Sequence, residues 1–361
     1  MSDEQSFPPP GHQPYPPRSP GLPQHPVAAP PAPGPSPGAA PPGMLGAAHK
    51  PGAMPLRPLG LGDMFDAAFR IIRFNPKATV GSAVLVASVT MLIPVVISAI
   101  FTFTVGVTLS ETGEIDTSAT QSEVVGTFVS LGSLFGGTIL LQIGLIFVTG
   151  MIAHVTNAAA VGQRLSLGEA WAATRGKRWK LLGLIAVINA IALLALAVYV
   201  GLWVLVVVSS STPLTVIWGV VTVPAFLAGM FWYWVRVYYL PAPVLMLEPV
   251  GVFGAIVRGF RLTHHQFWRV FGIGALTLIV TTVAGGILSF PISLAGEIGA
   301  LAVPEYAVLG LAITQAISAV ISSAFVAPFA SAVASLQYID QRMRKEAFDV
   351  ELMARAGITG L

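Results

Sequence analysis

Residues 181–235 read LLGLIAVINAIALLALAVYVGLWVLVVVSSSTPLTVIWGVVTVPAFLAGMFWYWV, without a single charged side chain. One helical crossing of a bilayer needs about 20 consecutive, mostly apolar residues, so this stretch is long enough for two. Ser209-Ser210-Ser211-Thr212-Pro213 divides it, because a polar turn followed by a proline suited to a helix start separates two apolar runs. Four further uncharged stretches, Ala78 to Ser110, Val124 to Gln163, Val270 to Gly296 and Tyr306 to Ile339, are each long enough for a span. The reading is therefore all-α: a polytopic membrane protein with six transmembrane helices.

Composition agrees. Of the 361 residues 54% are hydrophobic and 10% charged, whereas a soluble domain carries about 25% charged residues. There is no cysteine, which excludes disulfides and thiolate metal sites. The expected spans are Ala78–Val107, Val124–Met151 with a helical extension towards Val161, Lys180–Val208, Leu214–Leu240, Val270–Pro291 and Ala307–Leu336, with a further helix towards Arg355.

Orientation follows from the excess of Lys and Arg in cytoplasmic loops. Arg57, Arg70, Arg73 and Lys77 precede span one, and Arg164, Arg175, Lys177, Arg178 and Lys180 lie between spans two and three. Arg258, Arg261 and Arg269 lie between spans four and five, and Arg342, Arg344 and Lys345 follow span six. The other side carries Glu111, Glu114, Asp116, Glu123, Glu297 and Glu305 without Lys or Arg. The alternation predicts both termini in the cytoplasm.

Residues 1–58 hold 19 of the 29 prolines and few large apolar side chains. Such a segment cannot offset its ordering entropy by burial, so a disordered, partly polyproline II tail is expected. Its partner would be a protein with an aromatic groove. Residues 59–355 form the expected membrane domain, and 356–361 a short C-terminal end.

The odd-numbered spans are each preceded by a short amphipathic segment. In the first, Leu61, Phe65, Ala68, Phe69 and Ile72 share one helical face, while Asp63, Asp66, Arg70 and Arg73 share the other. In the second, Ser166-Leu167-Gly168-Glu169 has capping-box spacing. In the third, Gly259-Phe260-Arg261 echoes Ala68-Phe69-Arg70. The pattern suggests three units of interfacial helix plus transmembrane hairpin.

Arg57-Pro58-Leu59-Gly60-Leu61-Gly62-Asp63, Arg70-x-x-Arg73-x-Asn75-Pro76 and Tyr338-Ile339-Asp340-Gln341-Arg342-Met343-Arg344-Lys345-Glu346-Ala347-Phe348-Asp349 resemble actinobacterial multi-pass proteins related to the membrane domain of glycerophosphodiester phosphodiesterases. The resemblance would span Leu56 to Ala354 and implies the plasma membrane of an actinobacterium. In the fused enzymes catalysis belongs to a separate soluble barrel domain, so the resemblance carries no catalytic residue to this chain.

Basic amphipathic elbows suit anionic lipid headgroups. The candidate headgroup contacts are Arg70, Arg73, Arg178, Arg236, Arg261 and Arg269; plain anchoring of helix tilt is the competing reading. Gln142, His154, Asn157, Asn189 and Gln315 lie within or at the ends of spans, where polar groups serve either helix packing or a substrate path. Pro94, Pro224 and Pro328 fall inside spans, and Gly132-x-x-x-Gly136 reads as a close-packing signal. His264-His265 lacks a third ligand at useful spacing, so no metal site is expected.

No phosphate loop, dinucleotide fingerprint or nucleophile elbow occurs. Neither a cofactor nor a nucleic acid is expected; membrane phospholipids are. The sequence thus favours a non-enzymatic membrane module that organises lipids or partner proteins at the cytoplasmic face. The alternative is a transporter or lipid flippase with a polar path among spans two, three and six.

Overall fold

The protein is described here from a computed structural model, which covers residues 52–105, 121–209 and 211–357. Most of the proline-rich tail, the acidic loop bearing Glu111, Glu114 and Asp116, and residues 358–361 lie outside the described residues. The described residues form helices and turns without a strand. Six helices are long and apolar enough to cross a membrane, so this is a multi-pass membrane protein.

The long helices are α2 (Val80–Val105), α3 (Gln121–Ala160), α5 (Arg178–Ser209), α6 (Thr212–Tyr233), α9 (Phe267–Ala302) and α10 (Ala307–Glu346). Short helices α1 (Leu61–Phe74), α4 (Leu167–Ala173) and α8 (Val252–Thr263) precede α2, α5 and α9. These are the three short segments expected before the odd-numbered spans. A π-helical turn, Trp234–Tyr238, continues α6 and leads to α7 (Pro241–Leu247), a helix within the stretch expected to be loop. After α10 the chain turns at Ala347 into α11 (Phe348–Arg355).

Helices α2, α3, α9 and α10 pack together, with α10 touching the other three. Small residues make these approaches close, but not where the Gly132-x-x-x-Gly136 pattern predicts. Gly132 and Gly136 face open space, whereas a Cβ on Gly137 would lie 2.7 Å from Pro94 Cγ and one on Gly144 would lie 2.3 Å from Val86 Cγ1. On the α9–α10 seam, a Cβ on Gly296 would lie 2.8 Å from Thr314 Cβ. Helix α9 also runs through Pro291, where the sequence suggested an end, to Ala302. Proline is tolerated in spans where neighbouring helices and hydroxyls satisfy the freed backbone.

The buried core lies at one end, around the C-terminal half of α10. Phe329, Leu336, Tyr338 and Ile339 are fully buried there, because α1, α7 and α8 pack around this half of α10. Helix α1 lays its aromatic side on α10, with Phe65 and Phe69 ring centroids 5.4 and 4.9 Å from Phe329. Its buried stripe is Met64, Ala67, Ala68 and Ile71, rotated by about one position from the predicted face. Leu61 and Phe69 stay half-exposed at the edge of this contact, with one side of the Phe69 ring on Phe329.

The tail boundary expected at residue 58 also shifts. Met54, Leu56 and Leu59 are buried, and Ala53 N–H donates to Ala159 O at 2.8 Å, so the chain is packed from Gly52 onwards. The hairpin α5–α6 stands apart from the four-helix core. No α6 residue is buried, and in α5 only Leu181, Leu184 and Ile188 are. The two helices hold each other through a Tyr199–Phe226 stack at 4.1 Å and a 3.3 Å contact between the Tyr199 and Thr222 hydroxyls.

Candidate functional site

The end of the bundle bearing the core also gathers most of the described charges. Asp340 follows the last apolar turn of α10 and its side chain is fully buried. Its Oδ1 accepts the Leu59 N–H at 2.8 Å and Arg344 Nε at 3.0 Å, and its Oδ2 accepts Arg269 Nη2 at 3.2 Å. Arg269 and Arg344 also donate to Leu59 O, so one carboxylate and two guanidinium groups clasp both backbone polar groups of a single residue. A buried carboxylate requires such partners, since an unpaired one is strongly destabilising.

A second cluster surrounds Glu248. Its carboxylate accepts Arg258 Nε at 3.0 Å and the Tyr338 hydroxyl at 2.8 Å. Arg258 reaches Glu346 at 2.5 Å, and Arg342 joins Glu346 at 3.0 Å. Lys177 Nζ caps the end of α7 by donating to Met246 O at 2.9 Å and Glu248 O at 2.7 Å. Burial, then the charge of Lys180, hold the Lys177 pKa below the usual lysine range, with Glu248 opposing. These contacts join α7, α8, α10 and the residue before α5; the strip Tyr338-Ile339-Asp340-Gln341-Arg342 of α10 is common to both clusters.

The six arginines singled out for lipid headgroups therefore differ in what they do. Arg269 is engaged inside the protein by Asp340 and Leu59. Arg178 stacks over Trp171 at 3.6 Å and donates to Thr174 Oγ1 at 2.9 Å, closing the end of α4. That helix begins with the expected capping box, in which Ser166 N–H donates to Glu169 at 2.7 Å and Glu169 N–H to Ser166 Oγ at 3.2 Å. Hydrogen bonding from the Ser166 backbone N–H, then from its side chain, holds the Glu169 carboxyl below its ordinary pKa.

Arg70 pairs with Asp66 at 2.9 Å on the exposed face of α1. Arg73 and Arg261 are exposed without a carboxylate partner among the described residues. Arg236 stands on the π-helical turn with its guanidinium carbon 4.9 Å from the Phe260 ring centre, and its buried Nε and Nη1 lack an acceptor among the described residues. His264 lies nearby, its pKa lowered by His265, by desolvation and by the charges of Arg236 and Lys345.

Arg70 and Arg73 meet a third guanidinium that the sequence did not single out. Together with Arg164 they line a cavity of about 500 Å³, whose floor includes Gly52, Ala53 and Gly162. Arg164 lies over the Phe74 ring at 4.4 Å. The corner is held by Asn75, whose Oδ1 accepts the Leu165 N–H at 3.1 Å from 90 residues further along the chain. That long-range bond brings Arg164 to α1; its only trace in the sequence is the basic residue just after the α3 apolar run.

The polar residues of the spans divide among three places. Gln142 and Asn189 line a cavity of about 440 Å³ between α3, α5, α7 and α10, near a 3.0 Å hydrogen bond from Ser331 to Thr149. Gln315 lines a cavity of about 400 Å³ with Glu297, Thr314 and Ser293, towards the end of the bundle opposite the charge clusters. His154 and Asn157 line one of about 390 Å³ with Gln163 and Arg355, at the charged end. Among the described residues these three cavities keep the five apart. Among the described residues no group of three His, Asp or Glu side chains has metal-binding geometry.

Comparison with known proteins finds no family model, no curated protein and no solved structure that matches this chain.

Proposed function

We propose that this protein is a non-enzymatic membrane module whose charged end faces the cytoplasm and holds the phosphates of anionic lipids there. The observation that carries this reading is the convergence of Arg70, Arg73 and Arg164 on one open cavity whose lining includes no carboxylate. Guanidinium groups match phosphate geometry through paired N–H donors. A glycine and alanine floor lets a headgroup approach the backbone. Arg236, with two donors lacking an acceptor beside an aromatic belt, supplies a second contact of the same chemistry.

The positive-inside distribution and the resemblance to the membrane domain of actinobacterial glycerophosphodiester phosphodiesterases support a plasma-membrane location and a lipid-facing role. The polar span residues fall in three separate cavities rather than along one path, which favours this reading over the transporter.

The test is native mass spectrometry of the full chain from bilayers of equimolar phosphatidylglycerol and phosphatidylcholine. Near a membrane surface each basic residue contributes about 1 kcal/mol to anionic lipid attraction. Arg73→Ala with Arg164→Ala is therefore expected to cut the preference for phosphatidylglycerol roughly 10- to 30-fold. Equal retention of the two lipids by the unaltered protein refutes the reading.

A further inference from the structure

The cavity shared by Gln142 and Asn189 lies where α5 leaves the bundle. Ile188 is the last buried residue of α5, and from Asn189 onwards the helix is not buried against α3 or α10. The space between them therefore opens sideways, towards the bilayer rather than towards water. Its walls are chiefly apolar, including Leu145, Ile146, Leu184, Ile188, Pro243 and Ala330.

Two amides, beside the mutually paired hydroxyls of Ser331 and Thr149, interrupt this apolar lining. Gln142 sits beside the midpoint of the apolar run Phe128–Ala160, about 3 Å from it along the helix axis. Its side chain has no hydrogen-bond partner among the described residues. Asn189 donates through Nδ2 to Ile185 O at 2.9 Å, which leaves its Oδ1 as an open acceptor. Amide donors and acceptors at hydrocarbon depth are costly unless matched, and among the described residues only the Asn189 donor is matched.

We infer that this cleft binds one glycerolipid, which enters sideways from the bilayer, lays an acyl chain along the apolar wall and brings an ester or hydroxyl oxygen to Gln142 and Asn189. Size suits one acyl chain, with the rest of the lipid left in the bilayer: the cavity of about 440 Å³ falls within the range of small-molecule sites. Access favours it too, because the opening faces the acyl-chain region.

The experiment uses the full chain reconstituted in bilayers containing phosphatidylcholine with a diazirine in mid-acyl chain. After illumination, the labelled residues are mapped by mass spectrometry. Label is expected to concentrate on residues 142–149 and 184–189, above the equally apolar exposed face of α6 at residues 214–221. Gln142→Leu and Asn189→Leu, both at exposed positions where leucine suits the span, are each expected to lower that label about threefold. Ala330→Phe, which fills the cleft, is expected to remove most of it.

Even labelling of α5 and α6, label unchanged by both leucine variants, or protein-to-protein crosslinks through residues 142–149 would each overturn the inference. The probe carries no net charge, so Arg73→Ala with Arg164→Ala is expected to leave its labelling unchanged. Failure at the arginine cavity and failure in this cleft are thereby read separately.

Discussion

The carboxylate of Asp340, with no solvent exposure, accepts the backbone N–H of Leu59 at 2.8 Å across 281 positions of sequence. The segment before α1 is thus tied to the last span by a group that water cannot replace. Asp340→Ala leaves Arg269 and Arg344 without their carboxylate and the Leu59 N–H without an acceptor. Breaking such a buried pair costs about 3–5 kcal/mol. Thermal unfolding in detergent is expected to show a loss of that size, and early proteolysis near residues 52–59.

A close helix seam predicts a pair of opposite outcomes. An added Cβ on Gly296 would lie 2.8 Å from Thr314 Cβ, an atom that no side-chain rotation moves away. Gly296→Ala is expected to destabilise by about 1–3 kcal/mol through forced separation of α9 and α10. Gly132, which faces open space in α3, is expected to gain up to about 1 kcal/mol on substitution by Ala, from helix propensity alone. Midpoints of thermal unfolding for the two variants should move in opposite directions.

The turn between α10 and α11 is strained in a way that glycine relieves. Ala347 has φ 51° and ψ 40°, the left-handed region that L-residues enter at a cost of about 1–2 kcal/mol. Ala347→Gly is expected to raise stability by about 0.5–1 kcal/mol, less than the whole cost because glycine loses more entropy on folding. An unchanged or lowered midpoint would contradict the assigned backbone geometry.

The capping box of α4 predicts a pH dependence. The Glu169 pKa is lowered in the folded protein by its hydrogen bonds with Ser166, so the unfolded chain binds the proton more readily. The box therefore stabilises fully above the unfolded value of 4.5, and that stabilisation is lost as pH falls through the lower folded value. Amide exchange within α4 is expected to quicken over this interval, and the pH effect is expected to vanish in Glu169→Gln.

The six spans were legible because an uncharged run of sufficient length has one cheap solution in a bilayer. Helix α1 was legible from periodicity, α4 from Ser166 and Glu169, and α8 from its echo of Ala68-Phe69-Arg70. Helix rotation was not. Helix α3 is apolar on all sides over most of its length, so nothing in its pattern distinguishes the Gly137–Gly144 edge that meets α2 from the Gly132–Gly136 edge that does not. The packing of Met54 and Leu56 was hidden by the surrounding prolines, since their burial comes from distant parts of the chain. Arg164 joins Arg70 and Arg73 only after Asn75 and Leu165 meet, a contact that local sequence does not encode.

The bond between Leu59 and Asp340 also sets an order of events during synthesis. At about 5–20 residues per second the ribosome needs roughly 14–56 s to make the 281 residues that separate them. For that interval the Leu59 peptide lacks this partner, and five spans are made before it arrives. The last span is therefore the fastener of the first, and a chain interrupted before residue 340 is left with its opening segment unlatched.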